Sequence, residues 1–137
     1  MQPKKVLLVD DDPNIRRIAQ IVLSNIGKYE VIMASCGAEA LALAQQTIPD
    51  LVLMDVMMPD MDGPTTLVKL REINGFQEVP VIFITAKVQK HELHAYNQNG
   101  ALGAITKPFD PMTLCADIDA LILKSFPISG KSLQTQC

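Results

Sequence analysis

The stretch Leu51–Gly63, which reads LVLMDVMMPDMDG, decides the fold of this chain and points to its chemistry. Four apolar residues run directly into the carboxylate of Asp55, and a turn rich in Pro, Asp and Gly follows. A short, continuous apolar run is typical of a strand that is covered on both faces of a parallel sheet. We therefore predict a buried strand over Leu51–Met54 that presents Asp55 at its carboxyl end.

The composition indicates one globular domain. The chain has 137 residues, of which 48% are hydrophobic and 20% charged, and a chain of this size buries roughly two thirds of its unfolded surface. Its net charge is −3 and its basic residues are spread out, so we expect no direct binding to nucleic acid. No apolar run approaches the length of a signal peptide core or a membrane span. The sequence thus predicts a cytoplasmic protein without membrane contact.

Short apolar runs alternate with helical patterns along the chain. We predict strands over Lys5–Val9, Glu30–Ala34, Leu51–Met54, Val81–Thr85 and Ala101–Thr106. Helices are predicted from Pro13 to Ile26, about Ala38 to Thr47, Asp62 to Ile73 and Val88 to Asn99, with a fifth that Asp110 and Pro111 open. Strands that alternate with helices predict an α/β fold, a doubly wound parallel sheet with helices on both faces.

The predicted helices differ in their apolar anchors. The second helix is expected to turn Leu41, Ala44 and Ile48 toward the core. The fourth helix is polar, with Tyr96 as its largest apolar side chain. We therefore expect the fourth helix to be the least firmly packed.

Chemically active side chains stand at the carboxyl ends of four predicted strands. Asp10 and Asp11 follow the first strand, Asp55 the third and Lys107 the fifth, while Thr85 ends the fourth. The carboxyl ends of parallel strands meet at one edge of a sheet, where such folds bind their ligands. A lone acid after a strand more often serves a turn or a helix cap. Five such residues at one edge favour a functional site.

The residue types in this set predict phosphoryl chemistry. Clustered carboxylates repel one another unless a cation lies among them, and Mg²⁺ binds carboxylate oxygens while it leaves room for phosphate oxygens. Lys107 would add a positive charge and Thr85 a hydroxyl donor for a phosphoryl group. Because a carboxylate can act as a covalent nucleophile, we predict phosphoryl transfer onto an aspartate.

Four segments resemble the receiver domain of two-component response regulators. They are VLLVDDDPNIRR, DLVLMDVMMPDMDG, VPVIFITA and GAITKPF, and the resemblance spans about Lys4 to Lys124. It implies a five-stranded sheet of flavodoxin-like order 2-1-3-4-5. We assign residues 1–124 to the receiver domain and residues 125–137 to a polar tail or linker stub. Because no effector domain is visible, we expect a stand-alone, chemotaxis-type receiver.

The resemblance also assigns a metal site and a phosphoacceptor. It makes Asp55 the residue that accepts the phosphoryl group. Asp11 and Asp55 would bind Mg²⁺, or Mn²⁺, directly, and Asp10 mainly through water. The backbone carbonyl of Met57 would be a further ligand. In this interpretation the domain is not an enzyme in the metabolic sense, because it catalyses only its own phosphorylation and dephosphorylation.

Two further residues receive roles from the same resemblance. Thr85 corresponds to the family's switch hydroxyl and Lys107 to its phosphate-binding lysine. The resemblance implies a cis peptide bond between Lys107 and Pro108, and the small Ala86 leaves room for the phosphoryl group.

The sequence departs from the family pattern in two places. Ala104 stands where relatives commonly have an aromatic residue that responds to the switch threonine, and Tyr96 is one candidate to replace it. No arginine follows Arg71, so we do not expect the Arg-bearing salt bridges through which many DNA-binding relatives dimerise. The implied partners are a sensor histidine kinase or phosphotransfer protein, and an unidentified downstream protein that contacts helices four and five.

Several other interpretations fit the residues less well. A flavodoxin-type cofactor binder needs a loop rich in Ser, Thr and Gly after the first strand, where this chain has three acids. A haloacid-dehalogenase-type phosphatase needs a second acid at the position of Met57. A calcium loop that begins at Asp10 lacks its glycine at Ile15 and its closing glutamate at Ile21. A degenerate receiver, which acts as an interaction module without phosphorylation, stays open as the alternative.

Overall fold

A computed structural model describes residues 4–125, within which strands and helices alternate. The strands are β1 (Lys5–Val9), β2 (Glu30–Ala34), β3 (Leu51–Asp55), β4 (Val81–Thr85) and β5 (Gly103–Thr106). The helices are α1 (Pro13–Asn25), α2 (Gly37–Ala44), α3 (Gly63–Arg71), α4 (Lys90–Gln98) and α5 (Leu114–Ser125). The predicted tail, apart from Ser125, lies outside the described residues.

The strands form one parallel sheet in the order β2-β1-β3-β4-β5. This confirms the predicted fold class and strand order. The register pairs Val9 of β1 with Met54 of β3, and Asp55 with Ile84 of β4. Asp10 directly after β1, Asp55 and Thr85 therefore reach the same edge of the sheet.

The core has two halves, one on each face of the sheet. Alternate strand residues such as Val52 and Met54 pack with α2, α3 and α4, whereas Leu51 and Leu53 pack with α1 and α5. All five residues of β3 are buried, as the continuous apolar run predicts. The phosphoacceptor candidate Asp55 thus sits on a rigid central strand that is covered on both sides.

Aspartates cap the amino ends of two helices. The Asp12 side chain accepts a 2.8 Å hydrogen bond from the backbone N–H of Asn14 at the start of α1. Asp62 likewise accepts a 2.9 Å bond from Thr65 N–H at the start of α3, as predicted. Such caps are worth about 1 kcal/mol each. Asp12 and Asp62 therefore serve as helix caps, unlike the acids at the sheet edge.

Some predicted bounds were wrong by a few residues. Helix α5 begins at Leu114 rather than at Asp110, because the Asp110 carbonyl first accepts hydrogen bonds from the N–H groups of Thr113 and Leu114 in a turn. Strand β3 extends to Asp55. Strand β5 begins at Gly103 rather than at Ala101.

Helices α2, α3 and α4 are shorter than predicted, and α3 ends at Arg71 rather than at Ile73. Helix α2 ends at Ala44, so Ile48 lies outside it and is 41% exposed rather than turned inward. Helix α4 covers Lys90–Gln98, and Tyr96 is its buried residue within the described part of the chain. The sparse burial of α4 agrees with the expectation of a lightly packed helix. No helix within residues 4–125 combines the length and the apolar character that crossing a bilayer requires.

The Arg71 side chain ties the end of α3 to two loops. Its Nη1 donates to the carbonyls of Phe76 at 2.7 Å and Val79 at 2.6 Å. Its Nη2 donates to the carbonyl of Gly100, which follows the α4 cap residue Asn99, at 3.1 Å. One guanidinium group therefore fixes the ends of α3 and α4 relative to the loop before β4.

Gly63 allows α3 to begin against the strand that carries Asp55. A Cβ atom at this position would lie 2.6 Å from the backbone oxygen of Asp55 and 3.0 Å from Cα of Val56. The Gly63 N–H also donates to the Val56 carbonyl at 2.9 Å. Because there is no room for a side chain here, a substitution must displace the end of β3.

We expect Gly63→Ala to lower the free energy of unfolding by about 1–3 kcal/mol through this overpacking. Urea titration followed by circular dichroism measures the change. Val68→Ala serves as the control, since Val68 is on the same helix but is 53% exposed, and surface substitutions usually change stability by less than about 0.5 kcal/mol. Equal midpoints for both variants would contradict the close approach at Gly63.

Candidate functional site

Three carboxylates meet at the carboxyl edge of the sheet. One oxygen from each of Asp10, Asp11 and Asp55 lies within 4.8 Å of the others. Asp10 and Asp55 are 0% and 3% exposed, while Asp11 is exposed at the mouth of the cluster. Two acids are therefore removed from water, and the third faces it.

The loop after β1 holds Asp10 in place. Its Oδ1 accepts a 2.8 Å hydrogen bond from the N–H of Asp12. Its backbone carbonyl accepts a 2.6 Å bond from Nη1 of Arg16 in the first turns of α1. Sequence analysis missed this role of Arg16. The signal was the position of an arginine on the helix that follows the acidic loop, although nothing in the sequence tells which carbonyl it reaches.

Lys107 lies between the two buried carboxylates. Its Nζ is 3.0 Å from Oδ2 of Asp10 and 3.2 Å from Oδ2 of Asp55. Its backbone N–H donates to the Thr85 carbonyl at 2.9 Å, which ties the end of β5 to β4. The Lys107–Pro108 peptide bond is cis, as expected. The lysine thus supplies the positive charge that the two carboxylates share.

Burial and charge shift the proton affinities of this group. Burial raises the pKa of Asp55 and the neighbouring Asp10 raises it further, to about 6, although Lys107 and the Met57 N–H act in the opposite direction. Burial alone would lower the pKa of Lys107, but Asp10 and Asp55 outweigh it and hold that pKa above its ordinary value. One ammonium group therefore does not fully compensate the carboxylates.

Thr85 and Met57 lie beside the cluster. Thr85 is 2% exposed, and its Oγ1 accepts a 3.1 Å hydrogen bond from Lys87 N–H. A hydroxyl that accepts can still donate its own proton. Met57 N–H donates to Oδ1 of Asp55 at 3.2 Å, while the Met57 side chain is 62% exposed. The structure thus brings the predicted residues to one edge, whereas their roles stay predictions.

The donor set fits a hard divalent cation. Oδ2 of Asp10 is buried, and the Lys107 ammonium group, 3.0 Å away, is its charged partner. Three carboxylates against one lysine leave an excess of negative charge that a divalent cation would balance. Carboxylate oxygens are also the ligands that Mg²⁺ prefers. The exposed position of Asp11 leaves the cluster open toward solvent.

The sequence model described as "Response regulator receiver domain" matches residues 6–119. The chain belongs to this family. Response regulator Rre1 of Synechocystis sp. is 38% identical over 123 residues, which are 90% of this chain and 53% of that protein. In the same organism, the "DNA-binding dual master transcriptional regulator RpaA" is 36% identical over 88% of this chain and 50% of its own length.

Solved structures agree with the fold of this receiver domain. The chemotaxis response regulator CheY4 of Vibrio cholerae has a TM-score of 0.82 and is 33% identical, covering 88% of this chain and 99% of that chain. By contrast, the receiver chain spans about half the length of the curated relatives it matches. The family therefore explains the fold and the general class of function, signalling through a response regulator.

We expect Asp55→Asn to stabilise the metal-free protein above pH 6, because burial and Asp10 make an ionised Asp55 costly in the fold. Its pKa is raised from 3.8 to about 6, so this cost is absent below about pH 4 and complete above about pH 6. The gain should be on the order of 1 kcal/mol after a discount for solvent at the mouth of the site.

Thermal unfolding in EDTA at pH 4.5 and pH 7.5 measures this difference. The stability difference between variant and wild type should be larger at pH 7.5. A variant that is less stable than the wild type at pH 7.5 would show that the ion pair with Lys107 outweighs the cost of the buried charge.

Proposed function

We propose that this receiver domain acts as a phosphorylation-dependent switch that accepts a phosphoryl group on Asp55. The observation that carries the proposal is the placement of one buried carboxylate at the end of a central strand, 3.2 Å from Lys107 Nζ and within 4.8 Å of two further acids. A nucleophile on a rigid element is held in a defined orientation. The donor would be a sensor histidine kinase or a phosphotransfer protein.

Asp10, Asp11, Asp55 and the backbone carbonyl of Met57 would hold Mg²⁺ or Mn²⁺. When bound, the cation would neutralise charge on the phosphoryl oxygens. The open acidic cluster, with three carboxylates against the single ammonium group of Lys107, supports this assignment.

Side chains of the protein would carry out the other parts of the phosphoryl transfer. A carboxylate oxygen of Asp55 attacks phosphorus, so that an O–P bond forms while the N–P bond of the phosphohistidine donor breaks. Lys107, which pairs with Asp55 before transfer, would pair with a phosphoryl oxygen afterwards. The Thr85 hydroxyl can donate to another phosphoryl oxygen. Together these charges stabilise the transition state, in which negative charge spreads over the phosphoryl oxygens.

The wider context of the domain is also proposed. We expect output through helices α4 and α5 to a protein partner, and a location in the cytoplasm, where response regulators generally act. We expect no direct contact of this domain with nucleic acid, although RpaA, which is longer, is named as DNA-binding. The stand-alone, chemotaxis-type form and the boundary at residue 124 stay predictions, and the length of the curated relatives does not support the former.

A small phosphodonor such as acetyl phosphate tests the proposal directly. With Mg²⁺ present, the protein should gain one phosphoryl mass, which hydroxylamine removes because an acyl phosphate is labile to it. Intact mass spectrometry measures the gain, which Asp55→Asn should abolish. Asp60→Asn is the matched control, since Asp60 is an exposed acid of the same loop whose positive φ of 71° suits asparagine.

No mass gain in the wild type would favour the alternative of a degenerate receiver that binds partners without phosphorylation. Nothing among the relatives favours that alternative, and Asp10, Asp11, Asp55, Thr85 and Lys107 are all present in this chain.

We further expect Mg²⁺ to raise the melting temperature by mass action, with a gain of about 1.4 kcal/mol at a concentration ten times the dissociation constant. Asp11→Ala should remove most of this gain, because it deletes the carboxylate at the mouth of the cluster. Differential scanning calorimetry with and without Mg²⁺ measures the effect. Asp119→Ala, which removes an exposed acid of α5, should keep the full Mg²⁺ response. An unchanged response in Asp11→Ala would contradict the ligand assignment.

A further inference from the structure

Two hydrogen bonds link the site to α4 through one residue. Lys87 N–H donates to Oγ1 of Thr85 at 3.1 Å. The carbonyl of the same Lys87 accepts a 3.0 Å bond from the hydroxyl of Tyr96 on α4. Because both bonds end on the backbone of Lys87, a shift of this residue alters both.

Tyr96 is well placed to transmit such a shift. Its side chain is 6% exposed, and its ring meets the ring of Phe83 edge to face at a centroid distance of 5.1 Å. Phe83 in turn pairs in register with Ala104 of β5. Tyr96, Phe83 and Ala104 pack in the same half of the core. The aromatic ring of Tyr96 on α4 therefore lies in the same half of the core as Ala104 of β5, which has no ring of its own.

The rest of α4 offers few competing anchors. The helix begins with a capping box in which Gln89 N–H donates to Oε1 of Glu92 at 3.1 Å. Leu93 is only partly buried, whereas Tyr96 is the buried residue in the described part of α4. Within α4 itself, Tyr96 thus supplies the most deeply buried contact with the core.

We infer that Tyr96 is a positioning residue that couples the Thr85 hydroxyl to the position of α4. If the Thr85 hydroxyl turns toward a phosphoryl oxygen, its Oγ1 moves away from Lys87 N–H, and the Lys87 backbone is released. The Tyr96 hydroxyl then loses its fixed acceptor, and α4 is freed to move. This inference deepens the proposed function and rests on it for its signalling role, but the coupling itself exists without phosphorylation.

A purely structural role for Tyr96 is the competing explanation. A buried tyrosine needs a hydrogen-bond acceptor for its hydroxyl, and any carbonyl would serve. In that case the Tyr96 bond would stabilise α4 to the same extent whether or not Thr85 keeps its hydroxyl. The two explanations therefore differ in whether substitutions at Thr85 and Tyr96 have additive effects.

Amide hydrogen exchange of α4, measured by NMR on the unphosphorylated protein, separates these explanations. The four proteins are the wild type, Thr85→Val, Tyr96→Phe and the double variant. Tyr96→Phe keeps the ring but deletes its hydroxyl, and should accelerate exchange in α4 by roughly two- to tenfold, the effect of one net hydrogen bond. Thr85→Val should also accelerate exchange, but only in proteins that keep Tyr96.

Tyr29→Phe is the matched control. Tyr29, the other tyrosine of the chain, packs in the opposite half of the core, so its substitution should leave exchange in α4 unchanged. Additive effects of Thr85→Val and Tyr96→Phe, or no effect of Thr85→Val in the wild-type background, would overturn the inference.

Phosphorylation gives a second test with its own outcome. In the wild type, the phosphodonor with Mg²⁺ should accelerate exchange in α4, whereas in Tyr96→Phe it should change that exchange by less than about twofold. An equal response in both proteins would overturn the inference while the proposed function stands. A wild type that gains no phosphoryl mass would overturn the proposed function, and the exchange measurements on the four unphosphorylated proteins would still decide the coupling.

Discussion

The contact of one lysine with two buried carboxylates is the constraint on which this structure depends. Lys107 lies 3.0 Å from Asp10 and 3.2 Å from Asp55, so it joins the ends of β1, β3 and β5 through charge. A buried carboxylate without a partner would be strongly destabilising. Burial, and then the neighbouring Asp10, keep the pKa of Asp55 high, because the single ammonium group of Lys107 offsets only part of these effects. The excess negative charge costs the metal-free fold stability and favours the binding of a cation.

The excess negative charge around Asp55 affects both the stability of the fold and the chemistry of the site. The same burial that makes an ionised Asp55 costly also shields it from water and fixes its direction. A divalent cation that binds at this cluster would relieve the repulsion among the carboxylates, because it adds positive charge where Lys107 alone is insufficient. The presence of Asp10, Asp11 and Asp55 in one cluster is therefore more informative about function than the fold alone, which supports many unrelated activities.

Much of the fold could be predicted from short patterns. The apolar run Leu51–Met54 correctly indicated a strand covered on both faces, and Asp62 was correctly placed as a helix cap. The end of α2 was missed because Ile48 continues the apolar spacing although the helix stops at Ala44. Periodicity shows which side of a helix is apolar, but not where the backbone bonds stop. The start of α5 was missed for a related reason, since a turn at Asp110 has the residues of a helix start.

The residues of the site could be predicted because they stand at strand ends. The hydrogen bonds that link the site to the helices could not be predicted. Parallel strands bring their carboxyl ends together by topology, so the spacing of acids along the chain was sufficient. The bond from Arg16 to the Asp10 carbonyl and the bonds around Lys87 depend on loop conformations that no sequence pattern specifies.

The Arg71 guanidinium gives α4 an asymmetric attachment. Its bond to the Gly100 carbonyl secures the backbone just beyond the carboxyl end of the helix, together with the loop before β4. The opposite end of α4 follows a loop with exposed residues such as Ala86 and Lys87. Because the carboxyl end is tied by this hydrogen bond, a movement of α4 is expected to be a rotation about that end. Any displacement of α4 is therefore largest toward its amino end, on the side of the domain where β4 ends at Thr85.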